Sequence, residues 1–422
     1  MKFRRDNVSP PLKQKHLGKA KFEIFFRFRT IKIEKCIDAV LLEKLIPLRS
    51  SLRSARRSDE AADDLSHGMI LAMIPTVTIV FLVTICAYAL TLKIFPMLGL
   101  LDFPERYGLR RNRLPYPAGI IAVIVFMTTA LLILPVGQKE IGMLLGISLL
   151  AFTCFIDDRT PLPSWLRLLI QVFIVTMIFA TGSRIYTITN PLGGFLKLDT
   201  LTVSTGLFGS LPILSGLFTI GWLLLTINAL NWFDGISGQV SVIATIGFLM
   251  LGCLSLFRNG EPDIAVLSFS LAAIAGAGIL FDFPPAKMLI GDTGSMFFGL
   301  MLGLLGVYHG GKVATVFLAL GIPLIDAIFV IIRRMMKGHS PFRGGRDHLH
   351  HLLLDRGWSE RSVVFLTAMI GALFGGSALF LSTAQKGVSG AILLIVMTLL
   401  HLWIKNNHHY ETDKVVKRNR QD

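Results

Sequence analysis

The stretch Phe152-Thr153-Cys154-Phe155-Ile156-Asp157-Asp158-Arg159 decides how the chain is read. An apolar run long enough to cross a bilayer ends there in two adjacent carboxylates. A carboxylate at the centre of a bilayer is costly, so such side chains sit at the interface or in a polar cavity. Two side by side also repel, and a cation most easily keeps the pair ionised. A solvated helix end is the plain alternative. The company the pair keeps decides between them.

At 422 residues, with mean hydropathy +0.63, 53% hydrophobic and 16% charged side chains, the chain does not read as a soluble globular protein. Apolar runs of roughly 17–25 residues recur, the length that crosses a hydrocarbon core. The net charge of +15 is read as positive-inside loops and contact with anionic headgroups, with no nucleic-acid partner. Cys36, Cys86, Cys154 and Cys253 lie far apart, three of them in apolar runs. They form neither a zinc-ligand pattern nor a disulfide frame. The first 65 residues are polar and basic, so no cleavable signal pattern is expected.

The pattern predicts an all-α, polytopic integral membrane protein. Residues 1–68 form a basic tail of undefined structure with an amphipathic piece around 37–48, 69–404 the multi-span domain, and 405–422 a basic cytoplasmic tail. About eleven spans are expected, at 69–92, 117–136, 140–156, 164–182, 211–230, 236–257, 263–280, 295–309, 313–332, 362–382 and 388–404. With 93–117 on one side and each span reversing the chain, that side collects 20 Lys and Arg and the opposite connections 6. The first side is therefore cytoplasmic. Residues 1–68 hold the other 16 and would fall outside. Translocation against the rule, a re-entrant early segment, or a start at Met69 each removes that conflict. Every polar cluster below falls on the cytoplasmic side.

Asn228, Asn231 and Asp234 close the fifth span at a spacing of three, which keeps them within one helical stripe. Two amides and a carboxylate there offer acceptors to a cation and donors to a ligand. Capping before Gly235 and Gly238 explains one Asn but not all three residues. Between spans seven and eight, Pro284 and Pro285 stop a helix while Gly291 and Gly294 permit close backbone approach. Asp292 adds a third carboxylate, and amides near Thr293 and Ser295 open a helix whose start favours phosphate. The segment 333–356 sets Arg333, Arg334, Lys337, Arg343, Arg346 and Arg356 around His339, His348, His350 and His351, a charge suited to a phosphorylated substrate. Arg106, Arg110, Arg111 and Arg113 are read as a topology signal. Arg167 and Gln171, one turn apart, face one direction just beyond Asp157 and Asp158. Asp326, inside the ninth span, is read as a buried, hydrogen-bonded structural residue.

Taken in order, Asp157-Asp158, Asn228-Ala-Leu-Asn231 through Asp234-Gly235, Ala286-Lys287 through Gly291-Asp292-Thr-Gly-Ser295, and Ser340-Pro-Phe342 through Arg346-Asp-His348-Leu-His350-His351 resemble the polyprenyl-phosphate N-acetylhexosamine-1-phosphate transferases. The nearest branch is the WecA-like one of glycosyltransferase family 4 and the MraY superfamily, and the likeness covers roughly 70–404. It implies a multi-pass enzyme of the inner (plasma) membrane whose cytoplasmic face transfers N-acetylhexosamine-1-phosphate, GlcNAc-1-phosphate by default, from a UDP-sugar to polyprenyl (undecaprenyl) phosphate. UMP leaves, and the step initiates a cell-envelope polysaccharide. By resemblance Asp157 and Asp158 are catalytic, deprotonating or orienting the lipid phosphate, and Asn231 and Asp292 hold Mg²⁺, with Mn²⁺ as the alternative. Asn228, Asp234, Lys287, Arg346, His348, His350 and His351 match substrate-binding positions. A homodimer is compatible with the reading. The chain departs from the branch at Leu289, where an aromatic is common, at Arg343-Gly344-Gly345-Arg346, and at Tyr107-Gly108-Leu109-Arg110 with Ala118-Gly119.

Two other classes stand beside this one. A transporter of an anionic metabolite would place its site near the bilayer midplane on broken helices, and a non-catalytic scaffold would tolerate loss of the carboxylates.

Overall fold

The structure is a computed structural model that describes residues 62–107, 111–135, 137–190, 193–206, 208–259, 261–308, 313–340 and 345–418. Residues 1–61 of the basic tail, with its amphipathic piece, and Arg110 and Arg343 lie outside them, while residues 62–68, expected as tail, open the first helix instead. From Asp63 onward the chain forms one unit. Its helices are α1 (Ala62–Met97), α2 (Gly119–Ile133), α3 (Gln138–Arg159), α4 (Ser164–Ala180), α5 (Ile213–Phe233), α6 (Gln239–Leu254), α7 (Pro262–Asp282), α8 (Gly291–Tyr308), α9 (Val313–Ala319), α10 (Gly321–Met336), α11 (Leu349–Leu354), α12 (Glu360–Ser377) and α13 (Thr383–Arg418). Two antiparallel hairpins, β1 (Thr187–Thr189) with β2 (Phe195–Lys197) and β3 (Thr202–Thr205) with β4 (Gly209–Pro212), connect α4 to α5. The all-α reading did not anticipate these short strands.

The bundle is organised around α8. Apart from Asp292 and Tyr308, every residue from Gly291 to Val307 is buried, as expected of a helix that is apolar on all sides. It packs against α2, α3, α5, α6 and α9. Close packing needs small residues where backbones meet. At Gly299 a Cβ would lie 2.6 Å from Thr226 O and 2.9 Å from Ile227 Cα, both backbone atoms of α5. One turn on, Trp222 Nε1 donates to Gly303 O at 3.1 Å. The outermost helices show the opposite pattern. Only 17% of the most apolar window of α13 is buried, against 67% for α7. Large apolar side chains such as Phe152, Phe173, Leu217 and Phe365 stand exposed on the outside, an exterior suited to lipid rather than water.

Each expected span coincides with a helix or a helix pair. By length and apolarity alone, six of the described helices suffice to cross a membrane, or seven if the bent pair counts as one. The expectation of an unbroken ninth span is corrected. It is the pair α9 and α10, which meet at 88°. Pro323 has no N–H to give Ala319 O, so the hydrogen-bond ladder stops and restarts there.

Gly299→Ala should destabilise the protein by about 1–3 kcal/mol, because backbone on the facing helix has no side chain to move aside. A thermal unfolding midpoint in detergent equal to that of the wild type would contradict the close α5–α8 contact.

Candidate active site

The first amides of a helix have no acceptor within it. At the start of α8 that acceptor comes from α3. Asp158 Oδ1 accepts the Asp292 N–H at 2.9 Å, and Oδ2 accepts the Thr293 N–H at 3.0 Å and the Thr293 hydroxyl at 2.6 Å. The Tyr116 hydroxyl also donates to Oδ1. The carboxylate faces the positive end of the α8 dipole as well. Gly291 makes the approach: its φ is +70°, and a Cβ there would lie 2.8 Å from the Tyr116 ring and 3.0 Å from Asp158 Oδ1.

Asp157 is equally engaged. Its Oδ1 accepts the Leu162 N–H at 2.6 Å and its Oδ2 the Arg167 Nη1–H at 2.9 Å. The same Arg167 nitrogen lies 3.1 Å from Asp292 Oδ2, so one guanidinium joins two carboxylates from distant parts of the chain. One turn further along α4, Gln171 Oε1 accepts from Asn228 Nδ2 at 2.8 Å. Arg167 and Gln171 do face one direction, toward the carboxylates and amides.

Asn231 Nδ2 donates to Ser295 Oγ at 3.3 Å, on the turn that carries Asp292. Asp234 caps the C-terminal end of α5. Burial, then the charges of Asp282, Asp292 and Asp158, push its carboxyl well above the usual carboxylate range. Lys287 is exposed, and its ammonium makes no hydrogen bond or ion pair with a described residue.

The histidines form a second cluster against the same end of α5. His348 stacks parallel on His350, with centroids 5.8 Å apart, and lies 6.1 Å from Trp232. His350 meets Phe233 edge-on at 6.1 Å, and Gly235 leaves room for its Nε2, which a Cβ would strike. His350 is buried with both ring nitrogens unpartnered among the described residues, and His351 Nδ1 likewise. Burial first, then neighbouring His351, pushes the His350 imidazole down to about 3. Burial and then Arg346 lower His351. Both shifts disfavour the charged form of the ring. The arginines are largely committed: Arg346 pairs with Asp355 at 2.7 Å, Arg334 with Asp347 at 3.2 Å, and Arg356 donates to Ile404 O and lies over Trp403. In the first connection Arg111 pairs with Asp102 and Arg113 with Glu105.

The last turn of α5 thus joins the two halves, since Asn231 faces α8 while Trp232, Phe233 and Gly235 face the histidines. Among the residues proposed for the site, Lys287 makes no side-chain hydrogen bond or ion pair with a described residue of either cluster. The sequence reading missed Tyr116, which lies between prolines in a loop with no helical or strand pattern to mark it. It also missed His401 on α13, although an ionisable residue inside an apolar span is itself a signal.

Fold and site together define a multi-span membrane protein with a carboxylate–amide–histidine site at one end of its bundle. Residues 140–310 match the profile described as Glycosyl transferase family 4. The chain is 29% identical to a probable undecaprenyl-phosphate N-acetylglucosaminyl 1-phosphate transferase of Bacillus subtilis (strain 168), over 81% of this chain and 92% of the relative. It is 26% identical to an undecaprenyl-phosphate alpha-N-acetylglucosaminyl 1-phosphate transferase of Yersinia pestis, over 80% and 92%. A decaprenyl-phosphate N-acetylglucosaminephosphotransferase of Mycolicibacterium smegmatis (strain ATCC 700084 / mc(2)155) is 27% identical over 62% and 67%. The matched segment and these relatives point to one family, glycosyl transferase family 4.

Asp234 yields a test of the site's electrostatics. Its folded-state pKa is raised, so ionisation withdraws stability as pH climbs from the unfolded value through the folded one. In magnesium-free detergent, Asp234→Asn should unfold at a higher temperature than the wild type at pH 8, and the two should converge near pH 4. A variant no more stable than the wild type at pH 8 contradicts the assignment.

Proposed function

We propose that the protein transfers N-acetylhexosamine-1-phosphate, most simply GlcNAc-1-phosphate, from a UDP-sugar to polyprenyl phosphate at the cytoplasmic face of the plasma membrane and releases UMP. The observation that carries the reading is the convergence of Asp157, Asp158, Asn231 and Asp292 from three separate helices, joined by Arg167 from a fourth. The names of the relatives support the acceptor and the sugar, and the distribution of Lys and Arg supports the cytoplasmic side.

Among the described residues, no group of three or more His, Cys, Asp and Glu side chains forms a metal cage. The donors suit another mode, in which one or two protein oxygens and the substrate's phosphates share a hard cation. Asp292, with a side chain 30% exposed, and Asn231 would hold Mg²⁺ or Mn²⁺. Bound there, the ion would supply Lewis-acid neutralisation of the diphosphate.

The chain's own residues mainly position. Both oxygens of Asp158 are taken by donors, which favours orienting the Asp292 turn over accepting a proton. Asp157 holds Arg167 where its remaining N–H groups can meet a phosphate. A phosphate monoester with a second pKa near 6 is already largely ionised at neutral pH and needs no base. A lipid phosphate oxygen then forms the new bond to the β-phosphorus while the bond from that phosphorus to the bridging oxygen breaks, and UMP departs. Asn228, Asp234, Lys287, Arg346, His348, His350 and His351 are assigned to the UDP-sugar.

Purified protein with Mg²⁺, undecaprenyl phosphate and UDP-GlcNAc should release UMP, and EDTA should stop it. Asp292→Asn should lower kcat by roughly 10²-fold or more. No UMP from any UDP-N-acetylhexosamine would leave the transporter reading ahead.

A further inference from the structure

Asp326 lies on α10, away from the carboxylates described above, with a side chain only 2% exposed. Three donors, two from the start of α11 and one from α13, converge on it. His348 Nδ1 is 2.7 Å from Oδ2, while the Leu349 N–H and His401 Nε2 lie 2.9 and 3.2 Å from Oδ1. His348 immediately precedes α11, which carries His350 and His351, and His401 belongs to α13.

Donor accounting orders the contacts. His401 Nδ1 is 2.9 Å from Met397 O, and a carbonyl oxygen only accepts. Its Nε2 faces a carboxylate. Both nitrogens therefore face acceptors, and His401 is placed to donate to Asp326 from α13. His348 then needs to give only its Nδ1–H. Its Nε2 makes no hydrogen bond to a described residue. The Leu349 N–H is an orphan donor at the start of α11, so the same carboxylate also anchors the turn that presents His350 and His351.

We propose that Asp326, with His401 as a second ring against it, is the positioning residue of the histidine cluster: it locks His348 in the Nδ1–H tautomer and leaves Nε2 as a hydrogen-bond acceptor for the substrate. A bare ring nitrogen repels a phosphate oxygen and pairs with a donor, so the group it takes is a hydroxyl or the acetamido N–H of the sugar. That consequence for turnover rests on the transferase reading. The tautomer does not.

The test begins with ¹⁵N NMR of detergent-solubilised full-length protein carrying imidazole-¹⁵N histidine, with His348 signals identified by their loss in His348→Ala. The wild type should show a protonated Nδ1 and a bare Nε2 at His348. A bare Nδ1 overturns the proposal whether or not any variant folds and whether or not the protein turns over UDP-sugars. In Asp326→Asn the amide oxygen must still accept from Leu349, so its NH₂ faces the ring and the two signals should exchange. Turnover supplies the second arm, in which Asp326→Asn should lower kcat by about 10²-fold with little change in KM for polyprenyl phosphate. In a His348→Ala background the same substitution should cost less than twofold more, because Asp326 acts through that ring. Fully additive losses, or an Asp326→Asn enzyme within twofold of wild type, refute the positioning role. Wild-type protein that releases no UMP but shows the Nδ1–H tautomer would overturn the transferase reading and leave the proposal standing.

Discussion

The capping of one helix by a carboxylate from another is the constraint on which the site depends. A helix that begins inside an apolar bundle cannot give its first amides to water, and unsatisfied amides there cost several kcal/mol. Asp158 meets two of those amides and the Thr293 hydroxyl together. The cap fixes where α8 begins, and with it the position of Asp292 in its first turn. Placing a charge at a helix start for structural reasons has an electrostatic consequence. Asp157 and Asp292 share the single guanidinium of Arg167, Asp158 caps the same turn, and Asp234 and Asp282 lie nearby. Three carboxylates against one cation leave the cluster short of positive charge, which is the condition under which a divalent ion is favoured.

The position of α8 follows from packing rather than from charge. Its glycines allow α5 to approach to backbone contact, and its complete burial lets a membrane protein keep its polar end dry except at the site itself. The same approach sets Asn231 beside Ser295. Side chains on two helices that were free to slide could not hold a shared ligand within the tolerance that phosphoryl transfer demands. Small residues in the core and acidic residues at its end are therefore parts of one design.

Much of this was legible in the sequence because apolar length and charge placement are strong signals. The helices fall where the runs fall, and Arg167 and Gln171 lie where their one-turn spacing put them. Less was legible where the determining contact is nonlocal. The break between α9 and α10 depends on one proline within an otherwise continuous apolar run. The hairpins between α4 and α5 are too short to impose a period. Tyr116 owes its place to a carboxylate 42 residues away. Asp326 was read as structural from its depth, and only the folded chain shows His348 and His401 meeting on it.

Charge in a sequence is not charge in a site. The segment 333–356 reads as strongly basic, yet folding spends much of that charge inside the protein. Arg334 and Arg346 each find a carboxylate, and burial keeps His350 neutral. Neutral imidazoles contribute directional hydrogen bonds, not the compensation of several phosphate charges. A diphosphate entering here would look elsewhere for that compensation, to Arg167 and to a cation at Asp292. On the transferase reading proposed above, the histidine half of the site would recognise hydroxyl and amide groups, and the carboxylate half would manage charge. The last turn of α5 touches both halves, so it sets the distance between the group that is recognised and the bond that is broken.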